Sequence, residues 1–181
     1  MNESNDESQS PVRRFYGKYR GTVVQNIDPE FRGRLMCEVP GVLGPVPSSW
    51  CEACVPLAGP TGSAMGAYFV PPLGAGVWIE FEQGDPNHPI WTGCRFAPGD
   101  APLLAFAGLP VSPSIVIQTG LQNALVISDL PGPSGGIMLR SAIGATLIVN
   151  DTGIFIQNGK GATMTMVGPT ITFNAGALTI I

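Results

Sequence analysis

The sequence predicts an all-β protein made of two bodies, a small N-terminal barrel and a C-terminal stack of short strand repeats. Three observations carry this. Gly 24 and Pro 18 among 181 residues supply turn chemistry throughout, with no collagen-like period. No stretch shows helical periodicity bounded by caps. Charge is divided unevenly: residues 1–100 hold seven Lys and Arg against eleven Asp and Glu, whereas residues 101–181 hold only Arg140, Lys160, Asp129 and Asp151.

Residues 1–13 read as a polar tail, disordered or docked to a partner. Residues 14–97 read as a compact barrel. Its expected strands are Tyr16–Gln25, Arg34–Val39, Trp50–Pro56, Val77–Phe81 and Ile90–Phe96, separated by turns at Asp28-Pro29, Pro40-Gly41, Gly59-Pro60 and Gly84-Asp85-Pro86. Five strands in about 80 residues suit an OB-fold. Residues 98–113 form a Pro/Ala/Leu linker.

Residues 114–181 repeat a different pattern. Apolar pairs two residues apart recur at Leu125/Ile127, Ile137/Leu139, Leu147/Val149, Ile154/Ile156, Met164/Met166, Ile171/Phe173 and Leu178/Ile180, with turn residues in most gaps. With Ser114–Gln118 this makes eight short strands. Each has two apolar side chains on one face and Thr, Ser, Gln or small residues on the other. One chain of such strands buries little alone. Three chains around one axis close the sheets and remove sticky edges. The expected core of that trimer is Leu147, Val149, Ile154, Ile156, Met164, Met166, Ile171 and Phe173, in a prism roughly 40 Å long at ~4.8 Å per strand.

Chemistry-bearing motifs are sparse. A net charge of −4 argues against nucleic acid as a partner. No apolar run approaches the ~20 residues of a membrane helix. The start carries no signal-peptide pattern, which implies cytoplasmic synthesis. Cys51-x-x-Cys54 lies on an expected strand, where positions three apart face opposite ways. The four cysteines therefore read as reduced, part-buried thiols, with a metal site or disulfides as the alternative. Asp85, Asn87 and His88 cluster in a proline-flanked turn and read as a structural loop. Glu80 and Glu82 alternate along a strand as its exposed face. Met164 and Met166 fit the core spacing better than a metal site. No catalytic, cofactor or metal residues are assigned. Arg13, Arg14, Phe15 and Tyr16 form a basic, aromatic cluster expected to dock a partner.

The segment Gly76-Val-Trp-Ile-Glu-Phe-Glu-Gln-Gly-Asp-Pro-Asn-His-Pro-Ile-Trp-Thr-Gly93 resembles a stretch of phage baseplate assembly protein V and of the valine-glycine-repeat G spikes of type VI secretion. Tyr16–Val24, Asp28–Leu35, Ala58-Gly59 and Pro71–Gly76 are similar to other parts of that family, as are the repeats after residue 113. The resemblance implies an OB-fold collar (residues 14–97, with Gly84, Asp85 and Pro86 as its signature loop) on a triple-stranded, trimeric β-helix needle. It implies a homotrimeric, non-enzymatic central spike in the baseplate of a virion tail or an injection particle. Such a spike docks on a separate hub protein and briefly contacts the target membrane as it pierces the envelope.

Relatives carry features not recognisable here: a large N-terminal hub domain, a lysozyme domain, and a His-x-His tip. The apolar last strand suggests a separate conical tip protein instead. The alternatives are an OB-fold module for oligosaccharide or single-stranded nucleic acid, and a cell-wall-degrading spike enzyme.

Overall fold

The computed structural model describes residues 13–60, 62–106 and 114–180, with only the backbone of Thr179. The tail at 1–12 and linker positions 107–113 lie outside the described residues. The chain divides between Gly99 and Asp100 into two units.

The first unit holds five strands: β1 (Tyr19–Gln25), β2 (Met36–Glu38), β3 (Glu52–Ala53), β4 (Gly76–Phe81) and β5 (Pro89–Arg95). Their order is β2-β1-β4-β5-β3, antiparallel except for the parallel pair β3 and β5. A bridge between Leu35 and Cys51 joins the two ends of that order, with Cys51 N–H to Leu35 C=O at 2.7 Å and the reciprocal bond at 3.2 Å. The sheet thus closes into a five-stranded barrel of OB topology.

Alternation explains what fills the barrel. Along β4, Val77, Ile79 and Phe81 are buried and the residues between them are less so. They meet Val23, Leu35, Cys37, Val39, Cys51 and Trp91 in one apolar cluster. The strand expected at Trp50–Pro56 shortens to Glu52–Ala53. Pro40-Gly41, expected as a turn, opens α1 (Pro40–Leu43), a single helical turn. Proline is tolerated there because a first-turn N–H has no helical partner.

The second unit contains β6 (Ser114–Gln118), β7 (Ala124–Ser128), β8 (Gly136–Arg140), β9 (Thr146–Asn150), β10 (Gly153–Gln157), β11 (Thr163–Val167), β12 (Thr170–Phe173) and β13 (Leu178–Ile180). They form one eight-stranded antiparallel meander in which each strand pairs with its neighbours in sequence. Short turns make this inevitable, because antiparallel strands need only a hairpin whereas parallel ones need a crossover. A 3-10 turn at Leu103–Phe106, inside the expected linker, belongs to this unit and contacts β6, with Ser114 Oγ donating to Ala105 C=O at 3.5 Å.

Candidate functional site

The register of the meander assembles the apolar pairs into two continuous rows. One runs Ile115, Ile127, Ile137, Val149, Ile154, Met166, Ile171, Ile180, and the other Ile117, Leu125, Leu139, Leu147, Ile156, Met164, Phe173, Leu178. All eight residues expected as core lie on these rows, side by side. Each row advances one strand at a time because facing residues in an antiparallel pair share a face.

Among the described residues of this unit, no side chain of either row is fully buried. Among the described residues of this unit, Ala124 is the one buried apolar side chain, and it sits on the opposite face. Ile115 is 61% exposed, Ile137 48% and Ile156 42%. A large apolar side chain gains about 1.5–3 kcal/mol on full burial. Nine of the sixteen row residues are 37–61% exposed, and leaving them so forgoes on the order of 10 kcal/mol per chain, as an upper figure. The end strands β6 and β13 do not pair with each other, so this sheet does not close on itself to recover the loss, whereas identical sheets packed face to face can.

The opposite face departs from the polar face expected. Its middle row is Val116, Val126, Met138, Ile148 and Phe155 before it turns to Thr165 and Thr172. The reason is local cover. Leu104, Leu130 and Pro133 come from the segments beside the strands and rim a hollow of about 110 Å³ over Val126, Met138 and Ile148. Farther along, the threonine hydroxyls satisfy one another, as Thr165 Oγ1 and Thr172 Oγ1 share a short hydrogen bond.

In the first unit, the loop at Gly84, Asp85 and Pro86 is a closed turn. Glu82 N–H bonds His88 C=O, Asp85 N–H bonds Glu82 C=O, and His88 N–H bonds Asp85 C=O, all within 3.0 Å. The Asp85 carboxylate accepts Asn87 N–H at 3.0 Å and the Asn87 side-chain amide at 3.1 Å. The Asn87 N–H bond, aided by the nearby Arg14 charge, holds the Asp85 carboxyl below its ordinary range. Gly84 is buried at φ +76°, and an added Cβ would lie 3.0 Å from Tyr16 and 3.1 Å from Arg14.

The N-terminal cluster is largely engaged within its own chain. Phe15 N–H bonds Gly84 C=O at 2.9 Å, and its ring packs against Tyr19 and Phe81. Arg14 pairs with Asp85 at 3.4 Å, and Arg13 lies 4.9 Å over the Phe15 ring. Tyr16 remains 71% exposed. Glu80 pairs with Lys18 at 2.8 Å, and Glu82 is exposed.

Sequence reasoning passed over the ion pair that shapes the β1–β2 loop. Asp28 is buried and accepts the N–H groups of Glu30, Arg32 and Arg34 at 2.8–3.2 Å. Its two oxygens also take the Arg34 guanidinium, with the shortest bond at 2.7 Å, and that guanidinium lies 5.5 Å over Trp50. Arg34 therefore holds the Asp28 carboxyl far below the usual carboxylate range. The Asp-x5-Arg spacing was the available signal.

Cys37 and Cys51 are buried, Cys54 and Cys94 exposed, and all four are free. Ser48 Oγ lies 3.2 Å from Cys51 Sγ and accepts Cys37 N–H at 3.0 Å. Among the described residues, no group of His, Cys, Asp and Glu is placed to hold a metal ion.

A closed OB barrel followed by a coreless sheet with one uncovered apolar face defines a structural protein built to assemble from several copies. Comparison with protein families gives the same class and specifies it. Residues 19–96 match the type VI secretion system/phage-baseplate injector OB domain. Residues 114–179 match the phage baseplate V C-terminal trimerisation domain. The chain belongs to the phage baseplate V family, a structural component of a phage tail baseplate or related injector that assembles as a homotrimer. No curated protein matches it.

Proposed function

We propose that this protein is the central spike of a contractile tail or related injection system, docked on a separate hub protein and driven through the target envelope. The observation that carries the reading is the pair of uncovered apolar rows on the meander. Three copies, each supplying one eight-stranded sheet, close a triple-stranded β-helical prism around Leu147, Val149, Ile154, Ile156, Met164, Met166, Ile171 and Phe173. At ~4.8 Å per strand its length is roughly 40 Å. Closure satisfies all three apolar faces together, and a closed, sparsely charged prism suits transmission of thrust.

The action is mechanical, with no catalytic residue, cofactor or metal, and contact with the target membrane is transient. Arg13, Arg14, Phe15 and Tyr16 lie beside the Gly84–Pro86 loop on the collar, where Tyr16 offers an exposed ring for the hub. Among the described residues β13 pairs with β12 alone, leaving a strand edge that a conical tip protein would cover.

Light scattering on the purified protein, beside an unboiled detergent gel, tests this reading. A species of three times the 18.9 kDa chain mass that survives detergent is expected. A folded monomer would overturn it and leave an OB-fold binding module in its place.

A further inference from the structure

No charged residue or histidine occurs between Glu52 and Glu80. The collar's charges all lie outside this span, yet much of the span is at the surface. Its exposed part is an arm of two limbs, Leu57–Pro60 and Gly62–Phe69. They are joined by a bridge between Ala58 and Gly66 and by Gly59 N–H to Met65 C=O at 2.6 Å. Gly59 and Gly66 permit this approach, since a Cβ on either would come within 3.0 Å of the opposite limb. Met65 is 58% exposed, Tyr68 65% and Phe69 58%. Between the arm and the barrel wall lies an open cleft of about 740 Å³, with Trp91 and Phe31 on the wall side.

Phe31 is held out for contact. It is 83% exposed at φ +55°, a backbone region unfavourable for a bulky residue. The buried Asp28–Arg34 pair and three backbone bonds to the same carboxylate fix that loop. A rigidly presented aromatic loses little entropy on docking, which is the property of an interface anchor.

We infer that this arm and cleft are where the collar contacts a second copy of the chain within the trimer. The inference rests on the trimeric reading above. One property selects a copy over a different partner. Trimerisation of residues 114–179 tethers three collars through a linker of under twenty residues, giving millimolar effective concentrations of collar for collar. A contact too weak to form between free molecules is then populated, and the arm offers it uncharged side chains, with Arg32 the one charged residue lining the cleft. In a cyclic trimer the contact is head-to-tail, with the arm of one collar meeting a different surface of the next.

Hydroxyl-radical footprinting of the full-length protein, with its mass measured in parallel, tests this. Tyr68 and Tyr16 are similarly exposed in a single chain, at 65% and 71%. In the trimer, Tyr68 and Met65 should be oxidised at least about five-fold more slowly than they are in a non-trimeric Ile156→Asp variant, while Tyr16 stays unchanged. Should that variant fail to fold, Met65→Lys serves instead. It should keep the trimeric mass and raise Tyr68 oxidation by a similar factor. A trimer in which Tyr68 reacts as fast as Tyr16 overturns the inference and leaves the trimeric reading intact. Tyr68 equally protected in trimer and monomer also overturns it. A monomeric wild-type protein removes the trimeric reading itself.

Discussion

Ile156 and Gln157 are adjacent on β10 and face opposite sides of the sheet, so one charge placed at each isolates the role of the apolar rows. Ile156 pairs with Leu147 and Met164 and keeps 42% of its surface exposed in a single chain. Covering that remainder is worth about 1 kcal/mol per chain, or about 3 per trimer. In Ile156→Asp this gain is lost and three carboxyl groups enter a dry interior. A carboxylate there is neutralised rather than buried charged. Protonating a group of ordinary pKa near 4 costs about 4 kcal/mol at pH 7, so three cost about 12. The total, about 15 kcal/mol per trimer at pH 7, is enough to prevent assembly at micromolar concentration. At pH 5 the protonation cost falls to about 4 kcal/mol per trimer. Light scattering should therefore show loss of the trimer at pH 7 and partial recovery toward pH 5. Gln157→Asp, on the exposed side, should remain trimeric at both. A heat- and detergent-resistant trimer of Ile156→Asp at pH 7 would refute the assignment of this face to the interior.

Four further predictions concern the collar. Asp28→Asn leaves the buried Arg34 guanidinium only its ion pair with the exposed Glu30 carboxylate and should lower the thermal midpoint of the collar far more than Arg32→Ala, which removes only surface pairs to Glu30 and Glu52; calorimetry compares them. The depressed Asp28 pKa contributes stability that is complete above its unfolded value near 3.9 and fades as pH falls below it, so acid titration from pH 4 to 2 should destabilise wild type more steeply than Asp28→Asn. Gly84→Ala places a Cβ at φ +76° against Tyr16 and Arg14, and should cost about 1–2 kcal/mol in denaturant unfolding; an unchanged midpoint would show that the loop relaxes freely. A thiol reagent should label Cys54 first and Cys94 more slowly, because burial pushes the Cys94 thiol up. Cys37 and Cys51 should react only after unfolding, and four fast-reacting thiols in the folded protein would contradict the barrel core.

Much of the sheet was legible because a β-strand writes its faces into the sequence with period two. The two-residue spacing of Leu147 and Val149, or of Ile154 and Ile156, is enough to put each pair on a shared face. Turn residues between the pairs set the strand number, and the structure has the expected eight. The barrel strands were placed by the same alternation in β4. Their lengths were less legible: the segment after Trp50 keeps only Glu52 and Ala53 as strand, because its parallel register with Ile90 and Trp91 is two residues long and Cys51 meets Leu35 through a single bridge.

What the sequence alone determined is the face each apolar residue takes and the need for more than one chain to cover it, since two inward residues per strand cannot form a core. Tertiary structure decided which distant residues meet. Closure of the barrel through Leu35 and Cys51, the burial of Asp28 against Arg34, and the cover of Val126 and Met138 by Leu104 and Leu130 all depend on contacts between segments whose local patterns carry no record of each other. Periodicity encodes direction relative to a residue's own strand. Pairing between strands and loops is set by the free energy of the whole packed arrangement, and no window of sequence contains that sum.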